Sequence, residues 1–339
     1  MTDTRKILII CPGARSPFVR NDAAILAKEH PTEILGVDSL PFPRKLFLLI
    51  RLIGRLVKGD VLLIWLYWSV PAYSPFVMLL SKLAGKKVIV FTGGYDTTYV
   101  PVIDWGEMKT WWKRVAQRIT LRMADLVLTN SDFSQREVKK YSRPKKIQTL
   151  HHGIDTDRFA PKGPKDSLVI TVCFQINQST LIQKGLQTMI ESARTVPEAK
   201  FILIGEVSND AAVALARQTA PPNVNFRDEH ISDEELLQMY QRAKVYVQVS
   251  AHEGFGIANA EAMSCECVPV VSENTALPEV VGDCGFFVRF GDIAGTADAI
   301  RSALKSPDMG QKARRRIVEH FTALKHDRRL VDAVRSVLR

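Results

Sequence analysis

Cysteine is scarce in this chain of 339 residues: Cys11, Cys173, Cys265, Cys267 and Cys284. An odd set placed in or beside apolar runs argues against a disulfide framework and for buried, reduced thiols. Cys265 and Cys267 stand as C-x-C, not C-x-x-C, with no second Cys/His pair beside them, so neither a zinc nor a redox centre is expected there. Glycine fingerprints for nucleotides are also missing. There is no G-x-x-x-x-G-K-[ST], which argues against a P-loop, and no G-x-G-x-x-G after any strand, which removes the best sign of a dinucleotide enzyme. The first ten residues, MTDTRKILII, enter a strand-like run at once and carry no small-residue cleavage site. No signal peptide is therefore expected, and the expected compartment is the cytoplasm. One stretch, residues 61–81, is free of charge for 21 residues. Pro71 and Pro75 divide it, which predicts a buried strand followed by a helix rather than a membrane span.

What is present is globular. Apolar residues make up 46% and charged residues 24%, and the length suits two domains. Charge is uneven. Residues 1–160 hold 25 Lys and Arg against 14 Asp and Glu, whereas residues 161–339 hold 21 against 22. The basic excess of the first half predicts an anionic partner: nucleic acid, an anionic membrane or a phosphorylated substrate. Recognition motifs and aromatic series for nucleic acid are missing, so that partner is not expected.

Strand and helix patterns alternate from end to end. Runs such as KILIIC, VLLIWL and LVITVCF are apolar throughout rather than alternating, which predicts parallel sheets covered on both faces. Helices are expected at 21–29, 42–57, 184–196, 208–218, 233–242, 257–264 and 294–304. The segment TDRFAPKGPKD, rich in Pro, Gly and charge, marks a junction. The expected organisation is an N-terminal α/β domain over residues 1–160, a C-terminal α/β domain over 161–308, and C-terminal helices over 309–339 packing back toward the first. Both domains are doubly wound, and the cleft between them is the expected site.

The strongest chemical signal is SAHEGFGIANAEAM, residues 250–263. An apolar strand ends at Ser250, and a glycine turn then opens a helix. Gly254 and Gly256 let backbone approach a ligand, and the helix N-terminus attracts negative charge. Glu253 sits at the lip. Glu261 follows eight positions later, near two helical turns on, so the two carboxylates are placed to hold two ends of one ligand.

This segment resembles the E-x7-E motif of the family 4 retaining glycosyltransferases, whose fold, GT-B, is two Rossmann-like domains facing across a cleft. Ile231-Ser232-Asp233-Glu234-Glu235-Leu236, Gln183-Lys184-Gly185-Leu186, the run from His152 to Phe159, and Gly93-Gly94-Tyr95-Asp96 resemble further family segments in order. The resemblance implies transfer of a glycosyl group from a nucleoside-diphosphate sugar, with retention of anomeric configuration. The acceptor would be a sugar or lipid-linked molecule of cell-envelope polysaccharide or glycolipid synthesis. It implies catalytic roles for Glu253 and Lys184, the first on the sugar hydroxyls and the second on the departing diphosphate. Donor binding would fall to Glu261, Gly254, Phe255, Gly256, Ile257, Gly13 and His230, with Arg15 near the phosphates. Asp96 and His152 are the candidate acceptor or orienting residues, with two readings open for each: Asp96 orients an acceptor hydroxyl or holds its own loop through an Asx turn, and His152 supports the hinge or contacts the donor. No cofactor and no metal are expected, since Lys184 and helix-end amides supply the positive charge.

Two departures stand out. The family's Gly-Arg or Gly-Asn after the first strand of the second domain is replaced by Cys173-Phe174-Gln175-Ile176-Asn177, and Arg227-Asp228-Glu229-His230 stands where a glycine borders the base pocket. A catalytically weakened GT-B protein that binds a sugar nucleotide, or partners an active enzyme, is the alternative. Asp155-Thr156-Asp157 and Arg314-Arg315-Arg316 read as an interdomain join and a solvated helix face. Residues 44–58 set Arg44, Arg51, Arg55 and Lys58 in one stripe on an otherwise apolar helix, and Trp111-Trp112 with Lys113, Arg114, Arg118 and Arg122 adds an aromatic-basic patch. Two readings stay open for the stripe: a helix packed on the sheet with its arginines in water, or an interfacial helix that makes the protein peripheral on the inner, anionic membrane face.

Overall fold

Strands that are apolar on both faces must be covered on both faces, and the computed structural model builds two such sheets. It describes residues 5–12, 16–36, 50, 52–56, 58, 61–67, 73–227 and 231–339. Among the described residues the first sheet holds β1 (Lys6–Cys11), β2 (Thr32–Gly36), β3 (Val61–Tyr67), β4 (Lys87–Thr92), β5 (Leu126–Thr129) and β6 (Ile147–Thr149), in the order β2-β1-β3-β4-β5-β6. The second holds β7 (Asp166–Ile176), β8 (Lys200–Val207), β9 (Val224–Arg227), β10 (Ala243–Gln248), β11 (Val268–Ser272) and β12 (Phe286–Val288), in the order β12-β11-β10-β7-β8-β9. The pairings that build both sheets are parallel. Each sheet is thus doubly wound, as the continuous apolar runs require.

The chain divides into two compact units: residues 1–151 with 324–339, and residues 152–323. The helix Ala323–Leu338 places Leu330, Ala333, Val334 and Val337 in the core of the first sheet, against Ile7, Ile9, Leu63 and Ile89. The helix Pro307–His320 belongs to the second unit, where Ala313 and Ile317 pack with Phe255 and Met263.

The uncharged stretch resolves into β3 and the helix Ser74–Leu83. Among the described residues no helix is long and apolar enough to cross a membrane. Two expected helices move. The first is Pro17–Leu26 rather than 21–29, because Pro17, with its preset φ and missing N–H, serves as its first residue. The expected helix 184–196 is interrupted: a short helix Gln178–Gln183 is followed by Gly185 in the left-handed region, φ 65°, and then by Leu186–Ala193. Most of the expected helix 42–57 lies outside the described residues.

Candidate active site

In the second sheet the strand order reverses between β7 and β10, the place where loops on either side diverge and leave room for a ligand at the carboxyl ends. The loop after β10 carries Glu253, and the loop after β7 leads to Lys184. Gly185 joins them. A Cβ there would lie 2.1 Å from the carbonyl oxygen of Val249, so only glycine lets the backbone pass this close. The amide of Ala251 then donates to the carbonyl of Gln183 at 2.8 Å.

This docking sets Lys184 Nζ 2.5 Å from Glu253 Oε1. The same oxygen accepts from Gln248 Nε2 at 2.7 Å and Ser250 Oγ at 3.1 Å. Glu253 is 9% exposed. Burial alone would raise its pKa, but the charge and hydrogen bond of Lys184, with the Gln248 amide, hold the carboxyl below its ordinary value. Burial likewise disfavours the Lys184 ammonium, and Glu253 overrides it and raises the amine above its usual range. Both groups are therefore charged at neutral pH, a buried carboxylate with a half-buried ammonium at the mouth of the sheet.

Glu261 lies in the helix Ile257–Ser264 and keeps separate company. It accepts from the Tyr240 hydroxyl at 3.2 Å, and burial pushes its carboxyl up to about 7 against the opposing pull of Tyr240 and Arg158. Burial holds the Tyr246 phenol, on β10 between the two carboxylates' spheres of influence, well above its ordinary value, and both carboxylates push it the same way.

The glycine turn is anchored from below. The ring of Phe255 is buried, edge-on to His152 and to Phe321, each with centroids 5.5 Å apart. Gly256 caps the helix at φ 87°, where a Cβ would meet Leu277 at 2.4 Å. Ile257 begins the helix and packs on the same apolar cluster. The second unit thus brings Lys184 to Glu253 and sets His152 against the turn Gly254-Phe255-Gly256-Ile257, while Glu261 lies further along the same helix with Tyr240 as its partner. Gly13, Arg15 and His230 lie outside the described residues. Asp96 sits in the first unit, after β4, where its Oδ1 accepts from the amides of Gly93 and Gly94 at 3.0 Å each and holds its own loop.

Gln175 and Asn177, at the place of the missing arginine, are engaged with each other. Asn177 Nδ2 donates to Gln175 Oε1 at 3.1 Å, and Asn177 caps the helix Gln178–Gln183 in a reciprocal box with Thr180. Sequence reasoning did not single out Gln248, Tyr240 or Tyr246, and it read Ser250 only as the end of a strand. A glutamine ending the apolar run VYVQ was the available signal for the first.

Other singled-out features fold into the scaffold. Asp155 Oδ1 accepts from the amides of Asp157 and Arg158 in an Asx turn. Burial pushes the thiols of Cys265 and Cys267 up to about 12 and about 11. Among the described residues no group of three His, Cys, Asp or Glu is placed to hold a metal ion. The reading of Arg314-Arg315-Arg316 as a solvated face needs correction. Arg314 donates to the carbonyls of Phe159, Ser264 and Thr156, and Arg316 to those of Val280 and Glu279, so only Arg315 faces water.

Comparison with known proteins bears on the family and the fold. Residues 172–320 match the family described as Glycosyl transferases group 1, and residues 6–158 the family described as Glycosyltransferase Family 4. The GDP-mannose:cellobiosyl-diphosphopolyprenol alpha-mannosyltransferase of Xanthomonas oryzae pv. oryzae is 24% identical over 251 residues, which span 71% of this chain and 64% of that relative. Among solved structures, sucrose-phosphate synthase of Thermosynechococcus elongatus superposes with a TM-score of 0.77 at 16% identity, covering 98% of each chain. HepE of Anabaena in complex with UDP superposes with a TM-score of 0.77 at 16% identity, covering 98% of this chain and 100% of that one.

Proposed function

The chain belongs to glycosyltransferase family 4 and has its GT-B fold, and on that premise we propose that it moves a glycosyl group from a nucleoside-diphosphate sugar to an acceptor with retention of anomeric configuration. The observation that carries the reading is the Lys184–Glu253 pair at the reversal point between β7 and β10. In the reaction the bond from the anomeric carbon to the diphosphate breaks as a bond to the acceptor oxygen forms. Negative charge develops on the departing diphosphate. Lys184 is the cation assigned to that charge, beside the amides of the glycine turn, and no divalent metal is needed. Glu253, kept ionised, accepts from sugar hydroxyls, and Glu261 takes the ribose. The HepE structure holds UDP, and the Xanthomonas relative is named for GDP-mannose, so uridine and guanosine donors are both candidates. That relative's lipid-linked acceptor supports an envelope acceptor here.

A second reading, a protein that binds sugar nucleotide without turnover, rests on the engaged Gln175–Asn177 pair, which supplies no cation in place of the arginine. One experiment separates the two. A thermal-shift screen of UDP-, GDP- and ADP-sugars identifies the donor, since a ligand at 100 times its Kd stabilises by about 2.7 kcal/mol. Turnover of that donor, with product configuration read by proton NMR, supports the first reading. Binding without turnover on any envelope acceptor supports the second, and no binding of any sugar nucleotide removes both.

A further inference from the structure

Helices on a parallel sheet bury their apolar face and wet their polar one. On two neighbouring helices of the first unit the solvent side is apolar as well. In Ser74–Leu83 the solvent side is Phe76, Leu79 and Leu83, at spacings of three and four, while the buried side is Ser74, Val77, Met78 and Ser81. Leu83 is 77% exposed. The helix Trp111–Met123, packed against it, buries Gln117 and Thr120 and exposes Trp111, Trp112, Val115 and Ile119. Trp111 is 73% exposed. At about 100° per residue these four lie within roughly a third of a turn.

Beside that apolar stripe runs a second one. Arg114, Arg118 and Arg122 are all exposed, four residues apart, on a helix with no acidic residue. Lys113 pairs with Glu107, and its ammonium lies 5.6 Å from the centre of the Trp112 ring. The stripe first suspected, in residues 44–58, fares differently. Arg55 is bound by both oxygens of Glu33, at 2.8 and 2.7 Å, and Arg44 and Arg51 lie outside the described residues.

We infer that the neighbouring helices Ser74–Leu83 and Trp111–Met123 form a docking surface for a membrane carrying anionic lipid. An exposed apolar patch of this kind marks an interaction surface. Tryptophan at its edge suits the boundary between acyl chains and headgroups. Among the described residues the arginine row has no acidic partner, which selects an anionic occupant, and an amphipathic face of Trp, Leu and Phe bordered by arginine is the composition that lies in an interface. Each arginine near such a surface adds an attraction that salt screens within a Debye length. This surface stands independently of the donor chemistry, which lies in the other unit.

The test uses the full chain and two vesicle compositions, phosphatidylcholine alone and phosphatidylcholine with phosphatidylglycerol. The chain should float with the anionic vesicles, less so as salt rises, and its tryptophan fluorescence should be quenched by brominated lipid. The pairs Leu79→Gln with Leu83→Gln, and Trp111→Ser with Trp112→Ser, should each weaken partitioning at least about tenfold. The triple change of Arg114, Arg118 and Arg122 to Gln should weaken it roughly a hundredfold and remove the preference for anionic vesicles. All the replaced side chains are exposed, so melting should stay unchanged, and the quenching measurement needs no variant at all. Failure to float, equal binding to neutral vesicles, or variants that float like the parent would overturn the inference. So would a chain that does not float but self-associates through these residues, which would make the patch an interface between copies.

Discussion

Gly185 lies so close to Val249 that a Cβ on it would stand 2.1 Å from the Val249 carbonyl oxygen, and this contact is what sets Lys184 beside Glu253. Gly185 is also left-handed, at φ 65°. Gly185→Ala should therefore cost about 2 kcal/mol or more, from the backbone conformation and the clash together. It should also separate Lys184 from Glu253. Thermal melting and nucleotide-sugar titration check this; a variant that melts and binds like the parent would refute the constraint.

Lys184 as the cation for the departing diphosphate predicts that Lys184→Ala and Glu253→Ala each lower turnover at least about a hundredfold. Lys184→Ala also leaves the buried Glu253 carboxylate without its cation, so the melting point is read beside turnover, and the loss of turnover should persist at temperatures where each variant is still folded. Glu253→Gln should keep part of the structure but lose the ionised acceptor, and its melting point separates a folding effect from a chemical one. Near-parental kcat in both alanine variants would sink the assigned mechanism.

Turnover should also survive EDTA, because the positive charge assigned to the reaction is the Lys184 ammonium and the amides of the turn. Complete loss that added manganese or magnesium restores would refute this and redirect attention to Asp155 and Asp157.

The central strands were legible because they hold continuous apolar runs, such as ILIIC in β1, VLLIWL in β3 and LVITVCF in β7, and burial on both faces has no other economical signature. Glu253, Glu261 and the glycine turn stood out as a spacing, whereas Lys184 stood out only through the family resemblance. The break at Gly185 was not, because residues 184–196 keep a helical apolar period and a glycine within it reads as a weak helix residue rather than a left-handed joint. Arg314 and Arg316 looked solvated because charge usually is, and nothing local announces that their partners are carbonyls of Phe159, Ser264, Val280 and Glu279. The helix Ser74–Leu83 shows the converse limit. Its apolar residues ring most of its circumference, so periodicity alone does not say that Phe76, Leu79 and Leu83 face water while Ser74 and Ser81 are buried.

Burial pushes the Glu261 carboxyl up to about 7, so at neutral pH it is partly protonated. If its ionised form accepts from a ribose hydroxyl, nucleotide affinity should rise with pH, by about tenfold from pH 6 to pH 8 for a pKa near 7. The phosphates titrate too, so the decisive comparison is Glu261→Gln, measured by calorimetry with the same nucleotide. That variant should lose this share of the pH dependence. An identical profile in both proteins would remove Glu261 from the ribose.

The last prediction concerns His326, on the helix that closes the first unit. Its Nε2 lies 3.0 Å from Asp22 Oδ1 and its Nδ1 2.7 Å from the carbonyl oxygen of His151, and both His326 and Asp22 are buried. Two acceptors on two ring nitrogens call for two donors, which is the imidazolium. Burial opposes that charge, but the Asp22 hydrogen bond and charge, the His151 carbonyl and Asp327 outweigh it and raise the pKa above the ordinary value. The sign follows. A group whose folded pKa is raised contributes its full stability below the unfolded pKa, about 6.5, and loses it as pH rises through the folded value. Attachment of the helix Ala323–Leu338 should therefore weaken on the alkaline side of about pH 6.5, not the acid side. Hydrogen exchange of residues 324–338 between pH 6 and pH 9, corrected for intrinsic rates, should show falling protection. His326→Gln should flatten that trend, and Asp22→Ala should destabilise the helix by about 3 kcal/mol, because it strands a buried cation. Protection that stays constant across this range in the parent, or that falls equally in His326→Gln, would show that the imidazolium does not hold the helix in place.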